Sequence, residues 1–121
     1  KSFTLWADGK KVGAGEWYDP AKDTYRYRVD PKTRVFGIKI DGADEGRMGV
    51  IGSFGDSLVT SSSWKCKSNL NAKEIATFAT KDFDASLWAS AFEEGQNGIL
   101  PWGERPGIAK SAITNCPTRR R

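Results

Sequence analysis

Trp102, Glu104 and Arg105 fall within four positions, in a stretch bounded by Pro101 and Gly107. Together they offer a stacking face, a hydrogen-bond acceptor and a planar fork donor, the set that holds a small polar ligand by one flat face and its rim. Two readings fit: a ligand site, or a loop ion pair covering a packed Trp. Trp17, Tyr18 and Asp19 form a second set between Gly15 and Pro20, and Asp56 sits in the polar turn Ser53-Phe-Gly-Asp56. Asp41, Asp44 and Glu45 place three carboxylates in five residues, hard oxygen donors of the kind calcium takes. Their spacing fails the EF-hand pattern, so a solvated acidic turn is the competing reading, and no cofactor is required.

Other chemistry is excluded by what is missing. The 121 residues contain no histidine, which removes Ser-His-Asp and Cys-His nucleophilic catalysis and every His-containing zinc site. Two cysteines cannot form a four-cysteine site. Asp82 with Asp84, and Glu93 with Glu94, are near neighbours in sequence, whereas a glycosidase sets two carboxyls across a cleft. No glycine run follows a phosphate-binding pattern. A binding protein is therefore expected rather than an enzyme.

The formal net charge is +4, and Arg119, Arg120 and Arg121 supply three of the four charges. The remainder reads as nearly neutral, so no specific nucleic-acid partner is expected. The Arg run reads as a solvated tail (118–121), a processing remnant or a weak polyanion contact. No apolar run reaches the ~20 residues of a membrane helix, so membrane insertion is not expected. Cys66 and Cys116 lie 50 residues apart, outside any CxxC motif. In a small Trp-rich chain one disulfide is expected, with an oxidising, secreted or extracellular location; two buried thiols are the alternative.

The elements that must position these residues are short. Ser2 to Ala7 alternates, Asp8-Gly9 signals a tight turn, and Lys10 to Val12 returns. Thr24 to Val29 alternates with Tyr25, Tyr27 and Val29 on one face. Arg34 to Ile40 follows, with Gly37 as a candidate bulge. Met48 to Phe54, Leu58 to Thr60 and Ser63 to Cys66 are further strands. Asn71 to Glu74 carries a capping-box signal. Asp84 could cap a helical turn that begins at Phe83 and ends at Gly95, and Ile108 to Thr114 reads as a last strand. Trp6, Trp64 and Trp88 are expected to pack in the core. The sum is one all-β domain over residues 1–121, an antiparallel sandwich with short helical turns in its C-terminal half.

The order of motifs is similar to that of galactose-binding-domain-like jelly rolls. The segments are Phe3-x-Leu5-Trp6-x-Asp8-Gly9-Lys10-x-Val12-Gly13-x-Gly15-x-Trp17, then Val35-Phe36-Gly37-Ile38-Lys39-Ile40, Gly49-Val50-Ile51-Gly52, Val59 to Cys66, and Phe83-Asp84-Ala85-Ser86-x-Trp88-x-x-Ala91. Ala85 stands where that pattern has Asp, and Ile113 where an aromatic closing strand is usual. The resemblance implies a jelly-roll sandwich and a lectin-like, carbohydrate-binding role, with a terminal, galactose-like sugar held by loops at one end. Trp102, Glu104, Arg105, Trp17, Tyr18, Asp19 and Asp56 would then be ligand-binding. Cys66–Cys116 would staple the strand after Trp64 to the chain end. Lectins gain avidity by multivalency, so a homo-oligomer is expected. A matrix, adhesive or mineral-associated protein binding polyanions, and an accessory module of a larger enzyme or receptor, are the alternatives.

Overall fold

The structure is a computed structural model that describes residues 2–16, 25–41, 50–54, 58–96 and 112–116. Strands in antiparallel pairs dominate these residues, and their single α-helix has six residues. The chain gathers into two compact units. The first comprises Lys1–Tyr18, Tyr25–Asp44 and Asn69–Ala85; the second comprises Asp19–Thr24, Glu45–Ser68 and Ser86–Arg121.

In the first unit, β1 (Ser2–Ala7) lies between β2 (Lys10–Glu16) and β3 (Phe36–Asp41). The β1–β2 hairpin turns on Asp8 and Gly9, at φ 48° and 82°. Positive φ at both central residues is what a two-residue hairpin of right-handed twist requires, and Asp-Gly supplies it with little strain. The β1–β2 register shifts by one between Leu5 and Trp6: Leu5 faces Gly13 but Trp6 faces Lys11. The extra residue is Val12, so the bulge belongs to β2. The β1–β3 register runs unbroken from Ser2↔Asp41 to Ala7↔Phe36. Gly37 is therefore not a bulge. Its place in the sequence is explained by packing: a Cβ there would lie 2.5 Å from Ala79 Cβ and 2.8 Å from Phe78 Cε2.

Phe78 and Ala79 follow α1 (Ala72–Thr77). The helix starts as its sequence signals. Asn71 Oδ1 accepts from Glu74 N at 2.8 Å, and Glu74 Oε1 accepts from Asn71 N at 3.0 Å. This reciprocal cap fixes a helix too short to persist alone. Phe78 meets Trp6 edge-on, with ring centroids 5.4 Å apart and planes at 80°. Trp6 is opposite Gly37 in the ladder, so the glycine opens the space into which Phe78 and Ala79 settle.

In the second unit, three two-stranded ribbons form: β4 (Ser53–Phe54) with β5 (Leu58–Val59), β6 (Lys65–Cys66) with β7 (Ala89–Ser90), and β8 (Phe92–Gln96) with β9 (Ala112–Asn115). Thr60, 1% exposed, fixes the end of the first ribbon: its N–H donates to Gly52 O at 3.0 Å, and its Oγ1 accepts from Gly52 N at 3.2 Å. A buried hydroxyl is tolerated because it is bonded. Trp64 is half-buried, packs against Phe54 at 5.2 Å and donates from Nε1 to Val59 O at 3.0 Å. Trp6 and Trp64 thus both serve packing, and Trp88 is also half-buried.

Cys66 and Cys116 form a disulfide, with Cα atoms 5.7 Å apart. It joins β6 to the residue after β9. Closing a loop of this length restricts the unfolded chain by about 4 kcal/mol in the chain-entropy treatment. The segment after Phe83 forms no helix. Residues 86–87 turn, and the chain then enters β7 and β8. Gly95, expected to end a helix, instead lies at the register shift of the β8–β9 pair. Cross-strand pairing to β9 decided the backbone there, against a weak local capping signal.

Candidate functional site

Of the residues proposed from sequence to bind ligand, Trp17, Tyr18, Asp19, Asp56, Trp102, Glu104 and Arg105 lie outside the described residues. Asp44 and Glu45 do so as well. Asp41 is described, at the exposed end of β3. Both its carboxylate oxygens accept from Lys39 Nζ, at 2.6 and 2.7 Å. Lys39 and Asp41 are two apart on one strand, so the pairing follows from strand geometry. Among the described residues no group of three His, Cys, Asp or Glu gathers as a metal site.

The structure does assemble an aromatic surface that the sequence reading assigned only to a strand face. Residues 25–30 carry no strand ladder. Their alternation is nonetheless real: Tyr25 and Tyr27 turn the same way, with parallel rings (5°) and centroids 6.4 Å apart. The rings are received by β2. A Cβ on Gly13 would fall on the Tyr27 ring, and one on Gly15 would lie 2.6 Å from Phe3 Cε1 and 2.7 Å from Tyr25 Cζ. Two glycines two positions apart leave bare backbone, and two tyrosines two positions apart cover it, an aromatic rescue of glycines on an edge. Ring packing takes the place of the ladder that the alternating pattern suggested.

Phe3 completes the cluster, edge-on to Tyr25 at 5.1 Å and 69°. The Tyr27 hydroxyl donates to Ala14 O at 3.3 Å. Burial of the phenol, and secondarily the negative charge Tyr25 would carry when ionised, push the Tyr27 pKa above its ordinary value. The pair still presents aromatic surface to solvent, with Tyr25 43% and Tyr27 37% exposed. Partly exposed rings already seated on β2 are an aromatic surface against which the C–H face of a bound ring can pack. The sequence signal was the match of Gly13-x-Gly15 to Tyr25-x-Tyr27.

In the second unit, Glu93 accepts from Ser62 N at 2.8 Å, and the Ser61 and Ser63 hydroxyls bond each other at 2.7 Å. Glu93 thus closes the turn leading into Trp64, and its position has a structural explanation. Among the described residues no helix is long and apolar enough to cross a membrane.

No protein-family model, curated protein or solved structure matches the chain.

Proposed function

We propose that the chain is a secreted, non-catalytic carbohydrate-binding protein, lectin-like and of the galactose-binding-like jelly-roll type. The observation that carries this reading is the Tyr25–Tyr27 pair, parallel to within 5° and seated on the glycines of β2. A sugar presents an apolar C–H patch and a rim of hydroxyls. A fixed aromatic strip receives the former, and polar loop residues supply groups for the latter. Antiparallel ribbons and a disulfide suit an extracellular scaffold that holds such loops.

A glycan array read with and without EDTA tests the proposal. Specific binding to a set of neutral glycans is expected. Tyr25→Ser should weaken it by about tenfold or more, as loss of an aromatic anchor does, while Tyr25→Phe keeps the ring and the affinity. Loss of binding on Trp102→Ala or Arg105→Ala would show that this loop takes part in binding. Absence of glycan binding at every concentration tested rejects the reading.

A further inference from the structure

We propose that the Tyr25–Tyr27 surface takes the inside of an extended glycan chain, with two consecutive, equatorially linked sugars packed one against each ring. The inference rests on the carbohydrate-binding reading above and names the class of glycan for that surface.

The placement of the rings comes from the glycines beneath them. Gly13 and Gly15 are two apart on β2 and so share a face of the strand. Tyr27 covers Gly13, and Tyr25 covers Gly15. A Cβ on Gly13 would lie closest to Tyr27 Cε1, with Cζ at 2.6 Å and Cδ1 at 2.9 Å to either side of that atom. A point over the face of a ring is that near to three successive atoms. A point beyond the ring's edge, equally close to Cε1, is held farther from its two neighbours. Tyr27 therefore rests a ring face on the strand, and Tyr25, parallel to it within 5°, has the same orientation.

The rings are also side by side. Two residues of strand advance the chain by about 6.6 Å, and the ring centroids are 6.4 Å apart. The two rings are thus displaced along β2 by one glycine-to-glycine step and are not piled on each other. One face of the Tyr27 ring is taken up by β2 and its hydroxyl by Ala14 O, yet Tyr27 is 37% exposed and Tyr25 43%.

Two parallel rings at a fixed spacing select among glycans by shape. A terminal sugar covers one ring and leaves the other idle. A pyranose whose substituents are all equatorial shows C–H on both faces and keeps its hydroxyls at the rim. Joined through equatorial bonds, such sugars form a flat ribbon. Successive sugars are turned over but stay in nearly parallel planes, and each offers a C–H face to the same side. Axial linkages turn each sugar out of the plane of the one before, so a single sugar meets its ring. The strand holds both tyrosines in place before a ligand arrives, so little ordering opposes the second contact.

Titration calorimetry of the full chain with five probes tests the inference: methyl β-glucoside, methyl β-xyloside, cellotetraose, xylotetraose and maltotetraose. Cellotetraose or xylotetraose should bind about tenfold or more tighter than its own monosaccharide glycoside, the scale of adding a second aromatic anchor. It should exceed maltotetraose, the axially linked glucose tetramer, by a similar factor. Tyr25→Ser should remove the dependence on length and Tyr25→Phe should keep it, with the thermal midpoint of each variant showing that it is folded. The parent's preference for length and linkage is read without any variant. The inference is overturned if neither equatorial tetramer binds tighter than its monosaccharide glycoside, if maltotetraose binds as tightly as both, or if folded Tyr25→Ser keeps the length dependence. Any of these results together with specific binding on the glycan array leaves the carbohydrate reading standing and removes only the extended chain. Binding to no glycan, on the array or in solution, removes both.

Discussion

Asp8 and Val35 hold each other twice: Asp8 Oδ1 accepts from Val35 N at 2.9 Å, and Asp8 N donates to Val35 O at 2.9 Å. The same carboxylate accepts from Arg34 N at 3.2 and 3.3 Å. A residue chosen for the β1–β2 turn therefore also fixes the entry into β3. Because β3 pairs with β1 in unbroken register from Ala7↔Phe36, the clamp sits one residue before the ladder begins and sets where it starts.

Asp8 substitutions should separate these two roles. Asp8→Asn keeps an acceptor and tolerates positive φ, and should cost about 1 kcal/mol. Asp8→Gly keeps the turn but loses the clamp. Asp8→Ala loses both, and should cost roughly 2–4 kcal/mol from charge-assisted bonds and a strained φ. Urea unfolding of the three variants should rank them Asn, Gly, Ala in increasing destabilisation. Equal stability of Asp8→Gly and the parent would show that the clamp contributes nothing.

Gly37 tests the packing of α1 on the sheet. A methyl there would meet Ala79 Cβ at 2.5 Å, and Ala79 has no rotamer through which to retreat. Gly37→Ala should destabilise by about 1–3 kcal/mol, the range for overpacking a filled site. Gly52→Ala is the control. Its methyl would meet only the Phe54 ring, at 3.1 Å, and a ring can tilt, so the cost should stay within roughly 1 kcal/mol. Thermal midpoints that fall equally in the two variants would contradict the placement of Phe78 and Ala79 over β3.

The elements legible in the sequence were those whose signal is local. Asp8-Gly9 specifies its turn by the φ values it can adopt, and Asn71 with Glu74 specifies a helix start by two hydrogen bonds within four residues. The pairing of Cys66 with Cys116 was legible because two cysteines allow a single intramolecular bridge. What local pattern did not resolve depended on distant partners. Gly37 reads as a bulge until Ala79 is known to lie over it. Gly95 reads as a helix end until β9 is paired beside it. Tyr25 and Tyr27 read as strand residues because alternation reports which way side chains point and not what they cover. Their glycine partners stand ten or more positions earlier in the chain. The near-neutral charge of the body was likewise a correct sum that concealed its distribution, since Arg26, Arg28, Lys32 and Arg34 share one short segment.

Tyr27 links the aromatic surface to alkaline stability. Burial first, and Tyr25 second, raise its pKa in the folded protein above the ordinary tyrosine value. The folded state thus holds the phenol proton more tightly than the unfolded chain does. The stabilisation is complete below the unfolded value of about 10 and is lost as pH rises through the folded one. Phenolate absorbance should show one of the three tyrosines ionising later than an exposed tyrosine, and the urea midpoint should decline above about pH 10. Tyr27→Phe keeps the ring over Gly13 but has no proton to lose, so its midpoint should decline less steeply over the same interval. It also lacks the bond to Ala14 O, so its neutral-pH stability should fall by about 1 kcal/mol. An alkaline profile identical in parent and variant would mean that Tyr27 ionises as a solvent-exposed phenol, and that the ring does not rest on β2 as described.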